Sequence, residues 1–111
     1  MFPLLRRWLL AGSALLLTSC LSPTLPLPPP TEPQVSAPDL NGMVRLQGVA
    51  SPNVEVFAEN RNNGRIAGQI TKGDARYDFE IAAQANDSIE VWYVKGADQS
   101  QSVFVTVPEP E

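Results

Sequence analysis

Residues 75–95 read ARYDFEIAAQANDSIEVWYVK, and the two halves of this stretch decide the fold. Apolar residues occupy every second position in both halves: Tyr77, Phe79, Ile81 and then Ile89, Val91, Tyr93. Such alternation is typical of strands with one buried and one solvated face. Asn86-Asp87 lies between the halves, and both residue types favour turns. The stretch therefore predicts two strands joined by a turn.

The same alternation continues on both sides of this stretch. It predicts six strands: Met43 to Val49, Val54 to Asn60, Arg65 to Thr71, Ala75 to Ala82, Ser88 to Lys95 and Gln101 to Val107. They recur about every 11 residues and are separated by turn-forming residues, with no useful helical period. We therefore expect an all-β fold, a single small antiparallel β-sandwich of six or seven strands over residues 39–108, with a tail at 109–111.

One register of this alternation collects the candidate core. Its members are Val44, Leu46, Val54, Val56, Ile66, Ile70, Tyr77, Phe79, Ile81, Ile89, Val91, Tyr93, Val103, Val105 and Val107. The opposite register is mostly charged or amide-bearing, as expected of a solvated sheet face.

Composition limits the chemistry. The chain has 111 residues, enough for one small domain, and no histidine, which removes the commonest general base and zinc ligand. Its formal charge of −4 is the wrong sign for binding nucleic acid. We expect no enzyme activity, no cofactor, no metal and no nucleic-acid partner.

The carboxylates support that expectation. Asp74, Asp78 and Glu80 are close in sequence, but Asp74 falls in a turn and no calcium-loop motif is present, so they are interpreted as solvated side chains. Glu55 and Glu59 would stand about 13 Å apart on one strand face, too far for either glycosidase geometry.

The N-terminus has the layout of a secretory signal. Arg6 and Arg7 precede the apolar run WLLAGSALLL at residues 8–17. This run is too short to span a bilayer as a helix, which needs about 20 residues. Residues 1–19 are therefore predicted to be a cleaved signal peptide. The twin arginines leave the twin-arginine export route open.

Leu17-Thr18-Ser19-Cys20 resembles the lipobox of bacterial lipoproteins. The resemblance implies cleavage between Ser19 and Cys20, and lipidation of Cys20 with diacylglycerol and a further acyl chain such as palmitate. Leu21 stands where an aspartate commonly retains such proteins at the inner membrane, so the resemblance favours the outer membrane. Membrane attachment would then be through the N-terminal lipid.

Residues 20–38 are predicted to be a tether. Seven prolines lie between Ser22 and Pro38, each without a backbone donor, so we expect neither helix nor sheet there. A polyproline II spacer of this length would reach roughly 50 Å. A role as a ligand for an aromatic groove is the alternative.

The predicted sandwich resembles bacterial immunoglobulin-like domains. The matching segments are VRLQGVA (44–50), SPNVEV (51–56), GDARYDF (73–79), NDSIEV (86–91) and VFVTVP (103–108). Asn53 and Arg76 depart from the family pattern, which commonly has glycine and a small residue there. Carboxypeptidase-regulatory-like sandwiches share the pattern, so both topologies stay open. The resemblance implies a spacer or a binding module.

Large apolar residues on the solvated face form the candidate partner site. These are Trp92, Val94 and Phe104, with Phe57 a further possibility. A hairpin with a five-residue loop would place Lys95 opposite Gln101 and Trp92 opposite Phe104. These aromatics either bind a partner or form a cross-strand pair that shields the sheet.

The sequence therefore predicts an outer-membrane lipoprotein that displays a non-catalytic binding or structural module. Its partner would be an envelope protein or glycan. The alternatives are an accessory subunit of an envelope complex and a small carbohydrate-active or carbohydrate-binding protein.

Overall fold

A computed structural model describes residues 26–111 of the chain. The predicted signal peptide, its cleavage site at Ser19 and the candidate lipidation site Cys20 lie outside the described residues. The described part contains eight strands: β1 Gln34–Val35, β2 Met43–Val49, β3 Glu55–Asn60, β4 Ile66–Ile70, β5 Arg76–Ala82, β6 Ser88–Lys95, β7 Asp98–Gln99 and β8 Val103–Thr106. Among residues 26–111, no helix is long and apolar enough to cross a membrane.

The strands form two antiparallel sheets packed as a sandwich, so the predicted fold class is confirmed. The three-stranded sheet has the order β1-β2-β5, and the five-stranded sheet has the order β4-β3-β6, with β7 and β8 both paired to β6. The core between them consists mainly of alternate residues of β2, β3, β5, β6 and β8. Val44, Leu46, Val56, Ile89, Val91 and Val107 are fully buried there.

The six predicted strands are all present, and β2 and β6 have the predicted ends. β1 and β7 were not predicted. Asn53 and Asn86, in predicted turns, have positive φ of 55° and 72°. Asparagine tolerates this conformation better than most residues, so Asn53 can hold its turn without glycine.

The prediction that two isoleucines belong to the core is wrong. Ile66 and Ile70 are 61% and 69% exposed. Strand β4 pairs with β3 so that Ala67 lies opposite Ala58 and Gln69 opposite Val56. Ala67 and Gln69 therefore share the inward side with their buried partners, and the two isoleucines face outward.

The prediction that residues 22–38 form no sheet is also wrong for the described part. Residues 26–38, which we call the N-terminal strap, lie against the sandwich. Gln34 and Val35 pair with Gln47 and Leu46 of β2. Nearer its start, the strap bonds to the other sheet, where Gln101 N–H donates to Leu27 O at 3.1 Å.

The strap can pair with β2 because an edge strand needs backbone donors only at alternate positions. Thr31 N–H donates to Val49 O at 2.9 Å and Ser36 N–H donates to Arg45 O at 3.0 Å. Pro30 precedes the Thr31 donor and Pro33 lies between the two donors, and both prolines are buried. Proline therefore removes donors that the strap does not use, and residues 26–38 belong to the sandwich rather than to a free tether.

Buried polar side chains hold the turns at both ends of the sandwich. Asn60 Nδ2 donates to Ala82 O at 3.1 Å and to Asp87 Oδ2 at 2.8 Å, and its Oδ1 accepts from Asn62 N–H. Because the hydrogen bond from Asn60 Nδ2 favours the charged form of Asp87, the pKa of Asp87 lies below its usual value. At the other end, Thr71 Oγ1 donates to Ser51 O at 2.6 Å.

Candidate functional site

The surface of the five-stranded sheet that faces away from the core is unusually apolar, and we call it the outer face. It carries Phe57, Ile66, Ile70, Trp92, Val94 and Phe104. Phe104 is 60% exposed, while Phe57, Trp92 and Val94 are half-buried. Each of these side chains points outward because its neighbours along the strand point into the core.

Trp92 does not lie opposite Phe104, which corrects the predicted hairpin. Trp92 pairs with Phe57 of β3, and Phe104 pairs with Glu90. The rings of Phe57 and Trp92 stack with centroids 5.8 Å apart and planes inclined by 25°. The predicted Trp92–Phe104 pair is therefore wrong, and Trp92 stacks instead on Phe57, which the sequence left as a further possibility.

The register differs because the connection after β6 is shorter than predicted. Lys95 pairs with Asp98, leaving a two-residue turn that begins with Gly96 at φ +62°. Between β7 and β8 the chain forms an irregular segment instead of continuing the strand. There Tyr93 N–H donates to Ser100 Oγ at 2.9 Å, so a side chain replaces a backbone acceptor.

Gly68 extends the aromatic surface toward β4. It lies opposite Phe57, and a Cβ at this position would be 3.4 Å from Phe57 Cδ1 and 2.6 Å from Val56 O. The absence of a side chain leaves room for the phenyl ring. The outer face is consequently continuous from β8 to Ile66 and Ile70.

Charged groups border one end of this face. Glu59 and Glu90 lie directly opposite each other on β3 and β6, where like charges destabilise a sheet. Arg61 bridges them, with Nη1 2.8 Å from Glu59 Oε1 and 3.7 Å from Glu90 Oε1. Ser102 Oγ also donates to Glu90 Oε2 at 2.6 Å.

Two of the three carboxylates considered for a calcium site, Asp78 and Asp74, have local partners. Asp78 accepts two hydrogen bonds from Arg45, with Nε 2.6 Å from Oδ1, and this guanidinium holds the pKa of Asp78 below its usual value. Asp74 Oδ1 accepts from Arg76 N–H at 3.1 Å. Within residues 26–111, no three acidic or cysteine side chains are grouped so that they could hold a metal ion.

A groove of about 460 Å³ lies between the N-terminal strap and the three-stranded sheet. Its floor includes Gly48 and Tyr77, and Thr31, Glu32 and Arg76 contribute to its walls. Burial raises the pKa of Tyr77 to about 12. Sequence reasoning missed this groove because it expected the strap to leave the domain.

The structure places the three predicted partner-site residues on one face, but in different rows of the sheet. Trp92 is central, Val94 lies opposite Glu55, and Phe104 is at the β8 edge. Sequence reasoning missed Ile66 and Ile70, because it assigned them to the core. No local signal could have found them, because the polar Gln69 favours the opposite phase until its contact with Asp78 N–H is known.

Comparison with known proteins adds no relative. Neither the protein-family models, nor the curated proteins, nor the solved structures gave a match to the chain.

Proposed function

We propose that this protein is a lipoprotein of the bacterial outer membrane that displays a non-catalytic, immunoglobulin-like binding module. Its partner would be another envelope protein, and its outer face would be the binding site. The observation that carries this proposal is the outer face itself, an aromatic and aliphatic surface on a small all-β domain. Large apolar groups grouped on a solvated face are characteristic of interaction sites.

The arrangement of the outer face supports a protein partner. The stacked Trp92 and Phe57 lie at the middle of the sheet, and Glu59, Arg61 and Glu90 border them. Protein interfaces commonly combine an aromatic centre with a polar rim, and tryptophan is enriched among the residues that dominate binding energy. Trp92 would be the main anchor, with Phe104 and Val94 at its sides.

The strap determines how far the module would stand from the membrane. If Cys20 is lipidated, the chain from Cys20 to Leu27 reaches at most about 25 Å, half of the reach predicted for a free tether. Leu27 is fixed beside Ser100 and Gln101, at the β7–β8 edge of the sheet. The lipid would therefore hold this edge near the membrane surface and restrict the partner to the same zone.

Two variants test the anchor and the site separately. Cys20→Ser should move the protein from the membrane fraction to the soluble fraction and abolish labelling with radioactive palmitate. Trp92→Ala should leave the protein at the membrane but sharply reduce crosslinking to its partner in intact cells. Leu40→Ala is the matched control, because Leu40 is fully exposed on a loop away from the outer face.

The outcomes are distinguishable. Unchanged membrane association of Cys20→Ser would refute the anchor, whatever the partner does. Equal crosslinking of wild type and Trp92→Ala, together with a large loss of folding stability, would show that Trp92 is a packing residue. A cross-strand aromatic pair is worth only about 0.2–1 kcal/mol, whereas an interface tryptophan can contribute 2 kcal/mol or more.

The stacked aromatic pair also supports a second candidate, binding of an envelope glycan. Aromatic rings beside carboxylates, here Trp92 and Phe57 near Glu55, can contact the apolar and hydroxyl-bearing sides of a sugar. Retarded migration of the protein in gels containing envelope polysaccharide, lost in Trp92→Ala, would favour this candidate over a protein partner.

A further inference from the structure

The free edge of β4 has its backbone groups ready for another strand. Asn60 N–H donates to Arg65 O, and Thr71 N–H donates to Val54 O. In an antiparallel ladder these bonds recur at every second residue, so residues 65, 67, 69 and 71 bond to β3. The N–H and C=O groups of Ile66, Gly68 and Ile70 consequently point away from the sheet.

Both edges of the three-stranded sheet carry features that block pairing. The outward-pointing positions of β5 carry the charged residues Arg76, Asp78 and Glu80. The strap covers β2 with a two-residue strand next to the buried Pro33. Short edge strands, charges and prolines are the usual protection against edge-to-edge association. Strand β4, with the sequence IAGQI, has no charge, proline or bulge over its length.

We propose that β4 pairs antiparallel with β4 of a second copy of this chain, around a two-fold axis at Gly68. In this register Gly68 lies opposite its own equivalent, and Ile66 lies opposite Ile70 of the other copy. Each of these pairs exchanges two backbone hydrogen bonds. The two five-stranded sheets then form one continuous sheet, with the isoleucines in contact on its outer face.

The sequence of β4 selects a second copy over an unrelated strand. With the two-fold axis at Gly68, Ile66 of each copy meets Ile70 of the other, so both contacts of the isologous interface are apolar. Gly68 is exposed and has no side chain, so no group projects from the outer face between the two isoleucine pairs. Ile66 and Ile70 are the most exposed large apolar residues in the described strands, and pairing would cover both.

This association depends neither on the lipid anchor nor on the partner of the outer face. A five-residue strand pair is smaller than a standard interface, which buries about 1,600 Å² in total, so the affinity in solution should be low. If the chains are held in one membrane, confinement raises their effective concentration and strengthens the same contact.

The test uses the chain from residue 20 onward with Cys20→Ser, which keeps every residue that the structure describes. Sedimentation equilibrium from about 10 μM to about 1 mM should detect a monomer–dimer equilibrium. Ile70→Lys should weaken it at least about tenfold, because the pairing would place a charged head group against Ile66. Phe104→Lys is the matched control, since Phe104 is similarly exposed on the same face but at the opposite edge.

Cysteine pairing tests the register directly. An equimolar mixture of Ile66→Cys and Ile70→Cys chains should form a mixed disulfide under mild oxidation, because opposed residues have Cα atoms about 5.5 Å apart. Each variant alone should crosslink far less, since equivalent positions would be about 13 Å apart. Ile66→Lys replaces Ile70→Lys if the latter is unfolded by circular dichroism.

Three outcomes would overturn the proposal. One is a monomer over the whole concentration range. Another is dimerisation lost in Phe104→Lys but kept in Ile70→Lys, which would place the contact on the aromatic face. The third is a mixed disulfide no more abundant than the disulfide of either variant alone.

Discussion

Replacing Thr31 by valine should loosen the N-terminal strap from the sandwich. Thr31 Oγ1 donates to Val49 O and accepts from Val49 N–H, both at 3.0 Å. The N–H of Val49 points away from β5, because the neighbouring Ala50 N–H bonds to Ala75 O. The threonine hydroxyl is therefore the partner that holds this amide.

The size of the effect follows from these two bonds. Each is worth about 0.5–1.5 kcal/mol net, and both are exposed, so Thr31→Val should lower the free energy of unfolding by about 1–2 kcal/mol. For a domain of this size, 1 kcal/mol corresponds to about 4–8 °C in Tm. Valine keeps the shape of threonine, so the loss would come from the hydroxyl.

Two measurements check this prediction, with Thr31→Ser as the matched control that keeps the hydroxyl. Denaturant unfolding should rank Thr31→Val below Thr31→Ser, and Thr31→Ser should stay within about 0.5 kcal/mol of wild type. Hydrogen exchange of the Val49 amide should accelerate in Thr31→Val alone. If the Val49 amide exchanges equally slowly in both variants, the strap is not held as described.

Three further predictions concern Gly48, Ala75 and Tyr77. Gly48→Ala should lower the free energy of unfolding by about 1–3 kcal/mol, because its Cβ would lie 2.6 Å from Tyr77 Cζ. Gly73→Ala is the control and should leave thermal melting nearly unchanged, because no heavy atom lies within 4 Å of its Cβ. Ala75→Gly should stabilise the protein by about 0.5 kcal/mol, because Ala75 has a φ of +65° that glycine adopts without strain; Ala97→Gly, where φ is not positive, should destabilise it in the same assay. Burial raises the Tyr77 pKa from 10.0 to about 12, so its stabilising effect is complete below pH 10 and is lost as pH rises toward 12. Denaturation at several pH values should accordingly give a steeper alkaline loss for wild type than for Tyr77→Phe, and equal slopes would show that Tyr77 ionises normally.

Alternation predicted the fold where it had only one possible phase. In Arg76–Ala82, the large apolar residues alternate with charged ones, so only one phase could be buried. In Ile66–Ile70, apolar residues occur in both phases, so the choice depended on a contact remote in sequence. Gln69 Oε1 accepts from Asp78 N–H of the other sheet at 2.7 Å, which favours placing Gln69 inward.

The aromatic residues of the candidate site were predicted, but their register was not. Alternation alone places Trp92 and Phe104 on the outer face, because both follow from the phase of their strands. Their partners depend on the length of one turn and on how the chain returns to the sheet. Ser100, whose hydroxyl replaces a backbone acceptor for Tyr93, adds an irregularity that no periodic pattern specifies.

Proline content misled the prediction for the strap for a related reason. Counting absent donors predicts that a segment cannot form a central strand, but an edge segment uses fewer donors. Thr31, Gln34 and Ser36 supply the bonds, and the buried Pro30 and Pro33 fill space against the sheet.

Site-specific photo-crosslinking in intact cells tests the central claim most directly. A photoreactive amino acid at Phe104 probes the outer face, and the same amino acid at the exposed Glu80 probes the opposite sheet. We expect a discrete crosslinked product from position 104 that is absent from position 80 and is lost in the Cys20→Ser background. Equal products from both positions, or a product from position 104 that persists without Cys20, would contradict a membrane-anchored module that binds through its outer face.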